Sequence, residues 1–160
     1  MKPERLELLK SKLQNFTINY TEVNGTPALY ITKENIIDVC KILKSDNDLK
    51  FDSLLDAISV DWFEKKDRFE MIYNLTSIDN NERIFLKIKL DSKAPAMQSL
   101  TQVWGSANWY EREAFDMMGI DFINHPDLRR MYMPEEFEYY PLRKDFPLMG
   151  IPDSIPLPNK

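Results

Sequence analysis

Apolar residues recur at helical spacing at the start of the chain. Leu6, Leu9 and Leu13 share one face, with charges between them. Phe16, Ile18 and Tyr20 then alternate with Thr17, Asn19 and Thr21, the pattern of a half-buried strand. Asn24 and Gly25 both tolerate positive φ and predict a tight hairpin turn, with a return strand from Ala28 to Ile31. Thr32 is placed to cap a second helix carrying Ile36, Cys40 and Leu43 on one face, where Cys40 reads as a small core residue. Phe51, Leu54, Leu55 and Ile58 have helical spacing inside an otherwise strand-like region, so both readings stay open there, and Val60 to Phe63 reads as extended. Phe69, Met71, Tyr73 and Leu75 alternate, as do Ile84, Leu86, Ile88 and Leu90, and the polar break Asp79-Asn80-Asn81 joins them as an antiparallel hairpin. The pattern predicts an α+β fold, a mainly antiparallel sheet flanked by helices.

A further helix is predicted from about Leu100 to Met118, closed by Gly119. Leu100, Val103, Trp104, Ala107, Ala114, Phe115 and Met118 form its apolar stripe, and Glu111 lies on that stripe. A carboxylate there must be paired, either with an arginine or with backbone donors. Glu111 and Glu113 point to opposite sides and cannot share a ligand, whereas Asp116 is spaced to meet Arg112 and Glu113.

Beyond the helix the pattern changes. Seven of the ten prolines lie from Pro126 onward, so regular elements cannot run far. Nine of the 19 aromatic residues nonetheless fall between Trp109 and Phe146, too many for a solvated linker. The organisation predicted is an α+β domain over residues 1–122 and an extended docking segment over 123–160 that takes its burial from another surface. In that segment His125-Pro126-Asp127-Leu128-Arg129-Arg130 and Pro141-Leu142-Arg143-Lys144-Asp145-Phe146-Pro147 each set arginine near aspartate between prolines. Arginine forks among aromatics have the chemistry of an interface anchor.

Composition narrows the function classes. The 160-residue chain carries a net charge of −5, which disfavours a nucleic-acid binder that relies on phosphate neutralisation. One cysteine excludes an internal disulfide and a multi-thiolate cluster, and one histidine excludes a two-histidine metal site. Four glycines, at 25, 105, 119 and 150, make no phosphate loop. The charged N-terminus holds no apolar signal core, and no apolar run approaches the roughly 20 residues that span a bilayer. Two classes remain: a non-catalytic scaffold subunit, and a free-standing metal-dependent enzyme built on Glu113, Asp116 and His125.

The run from Trp109 through Glu111-Arg112-Glu113, Asp116, Gly119 and His125-Pro126-Asp127-Leu128-Arg129-Arg130 resembles the signature of the 30-kDa-subunit family, the C subunit of bacterial respiratory complex I. The later Pro141–Pro147 run resembles the family's C-terminal motif, with Arg143, Lys144 and Asp145 in place. Val60-Asp61-Trp62 and Arg68-Phe69-Glu70 are similar to its sheet region. The sequence departs from the family at Tyr139-Tyr140, where Gly-His is common, and at Asn124, where glycine is common. The resemblance implies a peripheral-arm subunit of a proton-translocating NADH:quinone oxidoreductase, on the cytoplasmic face of the membrane. It implies packing against homologues of the D and B subunits of complex I, near the terminal iron–sulfur cluster. It implies no catalytic, cofactor-binding or metal-binding residue in this chain, with FMN and the clusters held by partner subunits. The equivalent subunit of a membrane-bound hydrogenase or a deazaflavin-dependent dehydrogenase is the alternative within the same module.

Overall fold

A computed structural model describes residues 1–64 and 66–152, with Thr17 and Ile18 described by their backbone alone. Residues 153–160 of the expected docking segment, and the side-chain alternation expected at Ile18, lie outside the described residues. Helix α1 (Pro3–Leu13) leads into strands β1 (Thr17–Val23) and β2 (Thr26–Ile31), and helix α2 (Ile36–Ser45) follows. Strands β3 (Ser53–Asp61), β4 (Phe69–Ser77) and β5 (Glu82–Leu90) complete a five-stranded sheet in the order β1-β2-β5-β4-β3. The turn at Asn24 and Gly25 has φ of 49° and 79°, the double positive φ that matches the twist of the flanking strands.

The architecture is α+β, and the sheet is mixed. β2 pairs parallel with β5, through Ala28 with Phe85, while the other three pairings are antiparallel. The inward rows of β4 and β5, Phe69 to Leu75 and Ile84 to Leu90, are fully buried against Leu9 and Leu13 of α1 and Ile36, Val39, Cys40 and Leu43 of α2. Each such side chain contributes roughly 1.5–3 kcal/mol through removal from water.

Three local expectations are corrected, and one open reading is decided. The 51–58 stretch is strand, not helix. A bulge between Leu54 and Asp56 adds one residue to β3, so the inward positions fall at Leu54 and Ala57 and imitate helical spacing. The extended segment does not reach Phe63, which turns into positive φ (58°) because its N–H is drawn to the Asp61 carboxylate at 2.8 Å. Thr32 does not cap α2. Its carbonyl instead closes a turn with the N–H of Asn35, the residue that precedes the helix.

The third helix, α3, runs Ala107–Met118 rather than from Leu100. Leu100 to Trp104 make a separate turn, because the Glu111 carboxylate takes the Leu100 N–H and the Lys44 ammonium takes the Val103 carbonyl. Two short strands escaped the sequence reading. β6 (Ala96–Gln98) and β7 (Asp121–Ile123) pair parallel on either side of α3. They carry α3 against β3 and aim the chain beyond Ile123 back across the domain. No described helix is long and apolar enough to cross a membrane.

Candidate functional site

Three buried carboxylates organise the region where α3, the sheet and the C-terminal segment meet. Glu111 is fully buried. Its Oε1 accepts the Leu100 N–H at 2.7 Å and the Tyr73 hydroxyl at 3.3 Å, and its Oε2 lies 2.6 Å from Ser99 Oγ. No arginine reaches it among the described residues, so pairing comes from a backbone donor and two hydroxyls. Burial pushes its carboxyl up to about 7, against the pull of Ser99, Leu100 and Tyr73.

The His125 side chain is buried beside it, with Nε2 4.0 Å from Glu111 Oε2. His125 Nδ1 accepts the Asp127 N–H at 3.1 Å, which fixes the proton on Nε2, where it faces the Asn108 carbonyl at 3.3 Å. Burial holds the imidazole below its ordinary value. Burial thus disfavours the charged form of both neighbours.

Asp116 is buried one turn further along α3. Its Oδ2 accepts the N–H groups of Met131, Tyr132 and Met133 at 2.9, 2.7 and 3.0 Å. Its Oδ1 accepts Arg130 at 2.7 Å. Burial pushes this carboxyl up, and the amides of Tyr132 and Met133, the Arg130 guanidinium and the amide of Met131 together outweigh it, leaving it below the usual range. Three consecutive amides converging on one carboxylate bend the chain around it, as in a backbone nest. Arg130 also lies over the rings of Phe137 and Tyr140.

Asp61, at the end of β3, forms the third node. Arg68 holds it with two bonds, Nε at 2.8 Å and Nη2 at 2.7 Å, and extends Nη1 to Asp145 at 2.8 Å. The backbone N–H of Lys144 donates to Asp61 Oδ2 at 2.9 Å. The Arg68 bonds hold the Asp61 carboxyl down at about 2, burial opposing them.

Arg143 closes the end of α3. Its Nε donates to the Met118 carbonyl at 2.7 Å, and its guanidinium lies over the rings of Phe69 and Tyr140. A cation on the last carbonyls of a helix satisfies orphan acceptors and complements the dipole. Gly119 makes this approach possible. Its φ is 69°, and a Cβ there would stand 2.5 Å from Arg143 and 2.6 Å from Tyr140. Gly119→Ala is expected to lower the melting temperature by at least several degrees, about 2 kcal/mol or more, from left-handed strain and displacement of Arg143. An unchanged melting curve contradicts this packing.

The motif residues thus fall into distinct places. Asp127 pairs with Arg129 at 2.6 and 2.7 Å, the local pairing that the spacing suggests. Arg130 and Asp145 pair instead with Asp116 and Arg68, far away in sequence. Arg112 donates to the carbonyls of Arg129 and Arg130 rather than to Asp116. Glu113 is exposed, and Pro126 is exposed in the turn after His125. Glu113, Asp116 and His125 do not converge, and no group of three ligating side chains among the described residues is placed to hold a metal ion. Asp61, Arg68, Tyr73 and Ser99 were not anticipated as site residues. The one available signal was Asp61, a carboxylate at an inward strand position.

The family described as the respiratory-chain NADH dehydrogenase 30 Kd subunit matches residues 29–152. The chain belongs to this family. The C subunit of NADH-quinone oxidoreductase from Roseiflexus sp. is 43% identical over 143 residues, 89% of this chain and 82% of that protein. That of Citrifermentans bemidjiense is 43% identical over 148 residues, 92% and 90% respectively. Among solved structures, a trypsin-resistant fragment of Nqo5 has a TM-score of 0.68 at 26% identity, covering 78% of this chain and 99% of the fragment. A chain of an archaeal membrane-bound sulfane sulfur reductase shares the fold, with a TM-score of 0.72 at 23% identity, covering 91% of this chain and 87% of that one. The 30 Kd family match begins within β2 and takes in all three carboxylate nodes.

Proposed function

We propose that this chain is the C subunit of an NADH:quinone oxidoreductase. In that role it structures the quinone-reducing module of the peripheral arm near the terminal iron–sulfur cluster. The observation that carries the reading is the identity of about 43% to C subunits of that enzyme over some nine-tenths of the chain. On this reading the chain contributes no catalytic or cofactor-binding group. FMN and the clusters belong to partner subunits, and the complex lies on the cytoplasmic face of the membrane.

The site supports a scaffolding role. Its carboxylates are spent on amides, hydroxyls and guanidiniums of the same chain, and what they build is a shaped segment, residues 123–152, lying on the domain. That segment, with Glu111, Arg112, Glu113, Asp116, Gly119 and the arginines around it, is the docking element toward the homologues of the D and B subunits of complex I. The membrane-bound reductase likeness supports the fold and does not favour the hydrogenase or deazaflavin alternative over relatives named for NADH.

Affinity-tagged chain purified from its native membrane should bring down the D and B homologues together with NADH-oxidising, quinone-reducing activity. The chain purified alone should show no visible absorption band that bleaches on reduction. Recovery of the chain without those subunits, or with a bound chromophore of its own, sinks the reading.

A further inference from the structure

The strongest unexplained feature lies beyond the last carboxylate node. Residues Pro147 to Gly150 form a turn closed by the Gly150 N–H on the Pro147 carbonyl at 2.9 Å, with Gly150 at φ 73°. Its two central side chains are Leu148, 101% exposed, and Met149, 95% exposed. Turn tips normally carry Gly, Asn, Asp, Pro or Ser, and two large apolar side chains left bare at one tip have no purpose inside the domain. The base of the turn is fastened. Asp145 is held by Arg68, and Phe146 packs 6.2 Å from Phe137 and 6.4 Å from Tyr139, centroid to centroid.

A second observation points to the same place. Phe63 is 60% exposed and sits at φ 58°, in the left-handed region that a bulky residue avoids. Its ring lies 5.2 Å from the guanidinium of Arg68, the group that also grips Asp145. The exposed Phe63 ring thus shares the arginine that anchors the base of the turn.

We propose that the Leu148-Met149 turn is an apolar plug that seats in a pocket of a neighbouring protein in the assembled complex. Charge separates this occupant from a lipid surface. The chain carries −5, and Glu135, Glu136 and Glu138 lie in the same segment, which anionic headgroups repel. Charge also describes the pocket. The same carboxylates, with the half-exposed Asp145 at the base of the turn, fit a basic rim around an apolar floor. The inference rests on the reading of the chain as a subunit and adds the contact through which it docks.

The test uses the assembled complex in native membranes. A photo-crosslinking amino acid replaces Met149, and the adduct is identified by mass spectrometry. The expected product is one peptide of another protein of the complex. Adducts only to phospholipid, to a second copy of this chain or to residues 153–160 of the same chain overturn the proposal. In parallel, Leu148→Asp with Met149→Asp should leave the melting temperature of the isolated chain unchanged, because these side chains pack on nothing described. Its recovery with the other subunits should fall by roughly tenfold or more. If this double variant assembles as the wild type does while wild-type chain still brings down its partners, the plug falls and the subunit reading stands. If the wild-type chain brings down no partner, the subunit reading itself falls.

Discussion

Glu111→Gln is expected to make the chain more stable than the wild type at pH 8 and about equal to it at pH 5. In the folded chain the Glu111 carboxyl is raised from 4.5 to about 7 by burial, so the native state holds a proton that the unfolded chain releases. The stabilisation is therefore fully present below about pH 4.5 and is lost as pH rises to about 7. The loss is on the order of 3 kcal/mol, from the usual 1.4 kcal/mol per pKa unit. Glutamine stays neutral throughout. Its carbonyl keeps the Leu100 N–H, and Ser99, which donates to Glu111 Oε2 in the wild type, turns its hydroxyl to Thr101 Oγ1 2.8 Å away and accepts from the new amide. The difference between wild-type and Gln unfolding free energies, measured from pH 4 to 9, isolates this group from every other titration. A difference that stays flat with pH contradicts the buried neutral acid. Glu111→Ala is a separate case. It orphans the Leu100 N–H and two hydroxyls and opens a cavity, and should cost about 3 kcal/mol or more at any pH.

Asp116→Ala is expected to release the C-terminal segment while the sheet stays folded. The substitution leaves Arg130 and three consecutive amides without their acceptor, and breaking a buried pair on one side typically costs about 3–5 kcal/mol. Hydrogen exchange of the Met131, Tyr132 and Met133 amides should then approach the rate of an open chain, with β4 and β5 amides still protected. Because the Asp116 carboxyl lies below the usual range in the folded chain, its contribution is present above about pH 4 and fades only as pH falls through that lower value. The latch should therefore hold throughout the neutral range in the wild type. Equal protection of residues 131–133 in variant and wild type at pH 7 excludes the nest as the anchor. If the anchor is confirmed, the same variant in the membrane should reduce recovery of the assembled complex.

The elements with a strict period were legible in the chain. β4 and β5 follow their alternation residue by residue, and the Asn24-Gly25 turn needs only local backbone chemistry. The bulge in β3 was not legible, because one inserted residue converts a period of two into a spacing of three at Leu54 and Ala57. The helix stripe from Leu100 holds as a set of buried residues, the half-buried Phe115 apart, and fails as an element. Burial follows from hydrophobicity alone, whereas the break before Ala107 depends on a side chain eleven residues on claiming the Leu100 amide. The candidate site was legible as a list of residues and not as a wiring diagram. Asp127–Arg129 could be read because the partners are two apart, but Asp116–Arg130 and Arg68–Asp145 require the return path set by β7, which three residues of sequence do not announce.

The parallel pairing of β2 with β5 has a consequence for synthesis. Ala28 cannot meet Phe85 until α2, β3 and β4 have emerged and folded back, so the β1–β2 hairpin leaves the ribosome with its inner edge unpaired. Through that interval the edge formed by Ala28, Leu29 and Tyr30 is a template for strands of other nascent chains. Chains that stop short of β5 carry the same open edge permanently. Insolubility of truncated products is thus written into the strand order, and the last central strand to be made is the one that ends the hazard.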